Sequence, residues 1–289
     1  MSLSLAAAQI LTGLTFGMLY FLIAVGLSII LGVMNVVNLA HGSMFVLGAY
    51  MAYSFIGTGL NFWTALILSL IISGVIGAII ERVLLTRAYG KPLEQALLTF
   101  GLAFVMADVM KWIWGTSLYR INTPTLFNFS IDLGTVSFPA YRLFIVVVGI
   151  IIAIILWYME SKTRIGAIVR AGVDDREMVS ALGINVRAVF TGVFVFGAVI
   201  AALGGVLGGP VLGMYPGLDF FVLVTSLIVV VIGGLGSWKG SFVAAIMVGL
   251  IETIGNIWFP ALSMFLIFLV MILVLMIKPS GLFGRGEIT

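Results

Sequence analysis

Residues 5–31 read LAAAQILTGLTFGMLYFLIAVGLSIIL and contain no charged side chain. An α-helix that crosses about 30 Å of hydrocarbon needs about 20 mainly apolar residues, so this stretch is long enough to span a bilayer. No basic region precedes it, and it is as long as the apolar runs that follow. We therefore interpret it as a retained membrane span and not as a cleaved signal peptide.

The whole chain shares this character. Of its 289 residues, 62% are hydrophobic and 9% are charged, and the mean hydropathy is +1.29. A soluble globule of this size needs more polar surface, and the apolar runs lack the short alternation of an outer-membrane barrel. The absence of cysteine excludes disulfides and thiolate metal sites. The sequence predicts an all-α integral membrane protein, a polytopic helical bundle that forms one domain over residues 1–289.

Apolar segments recur along the chain and predict eight or nine transmembrane segments. They occupy roughly residues 5–31, 36–57, 62–82, 93–114, 141–159, 187–209, 218–236, 240–258 and 260–277. The second segment contains polar residues, so it either spans the membrane or is re-entrant. A re-entrant segment places the N-terminus inside the cell, whereas a spanning segment places it outside.

Basic residues concentrate in alternate connectors between these segments, which the positive-inside rule assigns to the cytoplasm. They are Arg82, Arg87, Lys91, Lys162, Arg164, Arg170, Arg176, Arg187, Lys239, Lys278 and Arg285. Residues 115–140 are therefore expected to form an external loop, and residues 160–187 the longest cytoplasmic segment. The 35 glycines indicate close helix packing, because small residues let helices approach each other in lipid.

The cytoplasmic segment 160–187 predicts a short amphipathic helix. Asp174 and Glu177 match a capping box, and Gly183 suits the left-handed turn that ends a helix. Its apolar face comprises Met178, Val179 and Leu182, and its polar face comprises Asp175, Arg176 and Ser180. A helix this short is marginal alone, so we expect it to dock on the membrane surface or on a protein. Its mixed charge favours a protein partner.

The stretch 32–50, GVMNVVNLAHGSMFVLGAY, combines apolar runs with polar residues that share no single helical stripe. This predicts a broken or re-entrant segment, because unpaired polar groups at membrane depth cost several kcal/mol and must face protein, water or a ligand. Two interpretations stay open. The segment lines a translocation pathway or gate, or its polar groups have a structural role and only satisfy each other's hydrogen bonds. The residues concerned are Asn35, Asn38, His41, Gly42 and Ser43. Residues 233–249, GGLGSWKGSFVAAIMVG, predict a second interruption.

Other charges near the predicted spans need partners as well. Asp108 and Lys111 are three residues apart on one helix face, and we expect them to neutralise each other. Glu252 needs a donor on another helix or a water-filled cavity, and it is a further candidate for the pathway. Asp219 follows a Pro-Gly pair at the outer mouth, where we expect a solvated charge.

Four separated stretches resemble the permease subunits of bacterial branched-chain amino acid ABC importers, of the LivH type. They are GVMNVVNLAHGSMFVLGAY, RAGVDDREMVSALGINVRAVF, GGLGSWKG and KPSGLFGRGE. The resemblance implies that the segment 174–183 is a coupling helix that docks on an ATP-binding subunit. Its residues here are Asp174, Asp175, Arg176, Glu177, Ala181, Leu182 and Gly183. The sequence departs from the family pattern at Trp238 and Lys239.

The resemblance further implies a multi-pass subunit of the bacterial cytoplasmic (inner) membrane, surrounded by lipid, that forms part of the pathway for leucine, isoleucine and valine. Its implied partners are a second, LivM-like permease, two ATP-binding subunits and an extracytoplasmic solute-binding protein, with no nucleic acid and no cofactor. Related permeases carry urea or short amides, which are the alternative cargo.

Enzyme chemistry is not expected of this chain. It has no HExxH motif, and GSWKGS places Lys before Gly-Ser, whereas a phosphate loop requires Gly-Lys-Ser. ATP hydrolysis would therefore occur on separate subunits. A stand-alone ion-coupled carrier or channel is the rival class, but only Glu252 and Asp108 are suitable as acidic relays within predicted spans.

Overall fold

The computed structural model describes residues 3–134, 136–164, 166–168, 171, 178 and 181–284. Within these residues the chain is mainly α-helical, which confirms the predicted fold class. The main helices are α1 Leu3–Met34, α2 His41–Gly57, α3 Phe62–Val83, α4 Pro92–Trp114, α5 Ala140–Lys162, α6 Val186–Leu212, α7 Leu218–Gly233, α8 Trp238–Trp258 and α9 Ser263–Ile277.

Short elements join these helices. Single 3-10 turns lie at Leu85–Ala88, Thr125–Phe127 and Pro260–Leu262. Between α4 and α5 the strands β1 Ser130–Asp132 and β2 Ser137–Pro139 form an antiparallel hairpin, with Ile131 opposite Phe138.

Seven helical stretches of the described residues are long and apolar enough to cross a membrane. The helices α2 and α7 are shorter, with 17 and 16 residues. Each follows a non-helical stretch, residues 35–40 before α2 and residues 213–217 before α7. The nine predicted segments therefore correspond to nine helices, two of which begin after a break.

Helix α1 lies at the centre of the bundle. Of its apolar stretch 78% is buried inside the protein, against 6% for Pro260–Ile277. It packs against α5, α6, α7 and α8, and its middle part, including Tyr20 and Phe21, is inaccessible to solvent. In contrast, the apolar stretches of α4, α5 and α9 are only 11%, 17% and 6% buried, as is typical of helices that face lipid or another chain.

The contact between Gly32 and Gly236 decides how the first helix is oriented. A Cβ added at Gly32 would lie 2.6 Å from Gly236 Cα, so the end of α1 touches the turn between α7 and α8. This turn precedes Lys239 and belongs to the basic face, which the positive-inside rule predicts to be cytoplasmic. In that predicted orientation α1 runs inward from an external N-terminus, and residues 35–57 follow it as a broken span.

The second predicted interruption, within residues 233–249, corresponds to a turn between two helices and not to a break inside a span. Residues 234–237 form this turn, and α8 continues without a break from Trp238. Gly234 and Gly236 have φ of 101° and 77°, which explains the glycines as turn residues. Ser237 caps α8 by accepting a hydrogen bond from Gly240 N at 3.1 Å. The break in the second half of the chain instead lies at residues 213–217.

The contact between α1 and α8 generates the first prediction. A Cβ added at Gly249 would overlap the backbone of Gly13 and Gly17. We expect Gly249→Val to destabilise the protein by about 1–3 kcal/mol, because overpacking forces the two helices apart. Thermal unfolding and size-exclusion profiles of the detergent-purified protein measure this effect. Gly101→Val is the matched control, since a Cβ at Gly101 meets no atom within 4 Å; equal loss in both variants would contradict the prediction.

Candidate functional site

The break before α2 is stabilised by side chains that satisfy its backbone. Leu39 N donates to Thr99 Oγ1 of α4 at 3.2 Å, and the same hydroxyl lies 3.1 Å from Val37 O, to which it can donate. Asn38 Oδ1 accepts from Ala40 N at 3.1 Å. A non-helical chain inside a membrane is tolerated where such partners replace water. Thr99, which the sequence did not single out, therefore ties α4 to the break.

The start of α2 is fixed deep inside the bundle. His41 is fully buried, and its Nε2 lies 3.0 Å from Ile23 O of α1. Ile23 is about 14 Å further from the cytoplasmic end of α1 than Gly32, at a rise of about 1.5 Å per residue. Gly42 packs so closely on the backbone of Asp219 that a Cβ would overlap it. The break thus brings α2 to begin well inside the membrane.

The predicted pathway residues do not form one surface. Asn38, His41, Gly42 and Ser43 are buried in protein, whereas Asn35 is exposed and has φ of 54°. Of the buried four, Ser43 contacts a residue that lines a cavity, because its hydroxyl donates to Asp219 Oδ2 at 3.4 Å.

Asp219 was predicted to be a solvated charge, but its side chain is partly buried. Residues 213–217 fold inward after α6, with Gly213 at φ 73° and Gly217 at φ 95°, and Asp219 lies in the first turn of α7. The inward fold brings the start of α7 against the start of α2, so the carboxylate is partly buried beside Ser43. The Pro-Gly pair gave no sign of this tertiary contact.

A narrow cavity of about 10 Å³, here called the outer pocket, lies next to Asp219. Its wall includes Val46, Tyr50, Met110, Lys111, Tyr215 and Asp219. Lys111 Nζ is 3.0 Å from Asp108 Oδ1, which confirms that predicted ion pair. The outer pocket therefore combines apolar side chains with one acidic and one basic group.

Tyr50, which lines this pocket, belongs to a group of packed aromatic side chains. Tyr50 and Trp114 stack with ring centroids 5.0 Å apart, and Tyr53 and Tyr119 are also 5.0 Å apart. Tyr119 exchanges two backbone hydrogen bonds with Met214, at 2.9 and 2.8 Å. The loop that follows α4 is thereby joined to the chain segment that leads into α7.

Glu252 has the partner on another helix that the sequence required. Tyr20 Oη of α1 donates to Glu252 Oε2 at 2.6 Å. The pair lies at the contact of α1 and α8, and neither residue is among those that line the outer pocket. The contact explains how an acidic group is tolerated at this depth.

A cytoplasmic cleft of about 610 Å³ lies between the end of α3 and the start of α6, lined by Arg82, Thr86, Arg187 and their neighbours. Beside it Glu81 is fully buried and accepts hydrogen bonds from Tyr89 Oη and, at 2.7 Å, from Thr191 Oγ1. In the sequence Glu81 stands next to Arg82 at the end of an apolar run, so it resembled an ordinary interfacial charge.

The last turn of α5, where the predicted cytoplasmic segment 160–187 begins, is anchored to the start of α8. Trp238 Nε1 donates to Glu160 Oε2 at 2.7 Å, and Lys239 Nζ lies 3.6 Å from the same oxygen. The Trp-Lys pair at which the sequence departs from the family pattern therefore makes a specific contact with the start of this segment.

The predicted coupling helix is described only in part. Asp174, Asp175, Arg176 and Glu177 lie outside the described residues. Leu182 N donates to Met178 O at 3.1 Å, Ala181 is helical, and Gly183 has φ of 80°, as the predicted left-handed helix end requires. Met178 and Leu182 are 61% and 73% exposed.

Seven apolar helical stretches of the described chain, long enough to cross a bilayer and packed around a buried central helix, are typical of a polytopic membrane protein. The family model described as "Branched-chain amino acid transport system / permease component" matches residues 9–275. The chain belongs to this family. It is a multi-pass subunit of an inner-membrane ABC transporter complex and not an enzyme.

Individual relatives agree with the family. The chain is 28% identical to the high-affinity branched-chain amino acid transport system permease protein BraD of Pseudomonas aeruginosa, over 97% of this chain and 96% of BraD. It is 27% identical to LivH of Escherichia coli with the same coverage. LivM of Salmonella typhimurium is 23% identical, over 93% of this chain and 68% of LivM.

The fold also resembles a solved structure. PsaBC from Streptococcus pneumoniae, determined in complex with Fab, matches with a TM-score of 0.51 and 17% identity, covering 94% of this chain and 89% of that chain. At this identity the likeness concerns the fold alone.

The pair of Tyr20 and Glu252 gives the second prediction. We expect Tyr20→Phe to lower the stability by about 1–3 kcal/mol, because it leaves a carboxyl group without its donor inside the membrane. Thermal unfolding of the purified protein measures the loss. In a Glu252→Leu background, which offers Tyr20 no acceptor, the same change should cost less, and an equal cost in both backgrounds would show that the hydrogen bond contributes nothing.

Proposed function

We propose that this chain forms one half of the translocation pathway of an ATP-driven importer of leucine, isoleucine and valine. The observation that carries the proposal is the likeness along 97% of the chain to permeases named for branched-chain amino acids. These names favour amino acids over urea or short amides as the cargo. The sequence contains no phosphate loop of its own, so the energy must come from another subunit.

The partners of the proposed importer are a second, LivM-like permease, two ATP-binding subunits and an extracytoplasmic solute-binding protein. The likeness to LivM supports a companion with the same fold. The exposed apolar side chains of Met178 and Leu182 support docking of the cytoplasmic helix on a protein. Gly183 would set the direction of the chain where that helix ends.

The proposed mechanism is conformational. ATP binding moves the ATP-binding subunits, and the segment 174–183 transmits this movement into the helices on either side of it, α5 and α6. Because Glu160 contacts Trp238, the movement also reaches the turn that joins α7 to α8. That turn packs on Gly32 at the end of α1, so the central helix and the broken spans respond together.

Within this mechanism residues 35–43 act as part of the gate. The buried groups of Asn38 and His41 hold the start of α2 in position, and Ser43 connects that start to Asp219. Glu252 remains a second candidate for the pathway. A stand-alone carrier would have to rely on Glu252, and no further acidic residue near the middle of a described span supports that alternative.

The third prediction tests the complex and its coupling. Purification of the tagged chain from native membranes in mild detergent should recover two ATP-binding subunits and a second permease. Gly183→Asp should release the ATP-binding subunits or uncouple their ATPase activity, because aspartate in place of glycine strains the left-handed turn. Gly134→Asp is the matched control, since Gly134 also has a positive φ of 87° but lies in the connector between α4 and α5. A chain that purifies alone and still moves solute in liposomes would contradict the proposal.

The fourth prediction concerns the gate. His41→Ala and Asn38→Ala should each lower leucine uptake by the reconstituted complex at least several-fold, because the start of α2 loses a hydrogen-bonded anchor. Asn128→Ala, on the exposed loop between α4 and α5, serves as the control. Unchanged uptake in both variants, with the proteins folded as judged by size exclusion, would remove these residues from the gate.

A further inference from the structure

The outer pocket has one acidic and one basic side chain, which are complementary to the ammonium group and the carboxylate of an amino acid. Asp219 lies on the wall formed by the start of α7, and Lys111 lies on the wall formed by α4. Apolar side chains, Val46 and Met110 among them, line the space that they share. We propose that Asp219 binds the α-ammonium group of the amino acid during its passage and that Lys111 attracts its carboxylate. This inference rests on the proposed function and specifies the site at which the substrate is recognised.

Asp219 has acceptor capacity to spare. A carboxylate offers about four lone-pair positions, and the described contact of this one is a single long hydrogen bond of 3.4 Å from Ser43. Within the described part of the chain, no lysine or arginine forms an ion pair with it. A partly buried carboxylate is stabilised when a cation approaches, and an ammonium group would provide that charge together with three hydrogen-bond donors.

Two helix N-termini lie beside this carboxylate. The starts of α2 and α7 meet at Gly42 and Asp219, and both helices present their positive ends there. Without Asp219 this position would attract an anion. Asp219 supplies a negative charge to these two ends, as a carboxylate in the first turn of a helix does, and its remaining lone pairs are available to the ammonium group of the substrate.

Lys111 can serve the opposite end of the substrate. Its ion pair with Asp108 is solvent-accessible, with side chains 44% and 75% exposed. Exposed ion pairs of this kind contribute about 0–1 kcal/mol, so the ammonium group of Lys111 can turn toward a substrate carboxylate at little cost. Met110 and Val46 would then contact the branched apolar side chain.

The present conformation is a closed form of this site. About 10 Å³ holds no more than one water molecule, which is too little for leucine. Tyr50, which lines the pocket, stacks on Trp114. Binding therefore requires that the wall around Tyr215 and Asp219 move away from α4.

Leucine uptake and ATPase activity of the full complex in proteoliposomes, with the loaded solute-binding protein outside, test the inference. Asp219→Asn keeps the volume and an acceptor oxygen for Ser43 but removes the charge. We expect it to lower uptake about tenfold or more, as the loss of one charge-assisted contact would, while thermal stability and ATPase activity stay unchanged. Asp219→Glu should retain part of the uptake. Asp132→Asn, in the β-hairpin, is the matched control and should behave as the unmodified protein.

A labelling experiment observes the pocket directly. The chain contains no cysteine, so Tyr215→Cys introduces one thiol into it, at a position that lines the outer pocket. Saturating leucine, delivered by its binding protein, should slow the reaction of this thiol with a water-soluble reagent. The same leucine should have no effect when Asp219→Asn is added.

The outcomes separate this inference from the proposed function. If the unmodified complex imports no leucine, isoleucine or valine, the proposed function fails. If it imports leucine and Asp219→Asn does so at the same rate, the proposed function stands and the inference is overturned. A parallel loss of uptake, stability and ATPase activity in Asp219→Asn would also overturn it, because it would assign Asp219 a structural role.

Discussion

The backbone of residues 35–40 must be hydrogen-bonded inside the membrane, and the rest of the structure depends on how this is achieved. Lipid offers no donor or acceptor, so a non-helical chain persists there only with partners from the protein. Thr99 Oγ1 accepts a hydrogen bond from Leu39 N and lies within donating distance of Val37 O. The amide oxygen of Asn38 accepts a hydrogen bond from Ala40 N. These contacts let α2 begin deep in the bundle, where the start of α7 can reach it.

Close packing of the central helix supplies the rigidity that this arrangement needs. Association of helices in lipid gains nothing from the hydrophobic effect, so it relies on contact between backbones. Glycines provide such contact on α1 and on its neighbours: Gly13 and Gly17 meet Gly249, and Gly26 lies against Gly197 O and the His41 ring. The start of α2 at His41 is therefore enclosed by surfaces that leave little room for water.

Length and hydropathy were sufficient to predict the helices and the break before α2, because a span and a polar interruption are local properties. Contacts between distant segments were not predictable in this way. Asp219 follows a Pro-Gly pair that is typical of an exposed turn, and only the inward fold of residues 213–217 buries its carboxylate. The glycines at 233–236 were equally compatible with a break and with a turn, and the structure uses them for a turn. Thr99 and Glu81 gave no local signal at all.

Helix α7 connects the two faces of the protein. It begins beside the outer pocket at Asp219 and ends, about 24 Å away at about 1.5 Å per residue, at the cytoplasmic turn. At that end Leu282 N and Phe283 N donate to Ile232 O and Gly233 O at 2.8 and 2.9 Å, and Trp238 holds Glu160. A helix moves as a rigid body when force is applied at one end. A displacement of the cytoplasmic segment that shifts this turn must therefore also shift Asp219, so one element would couple events at the cytoplasmic face to the width of the outer pocket.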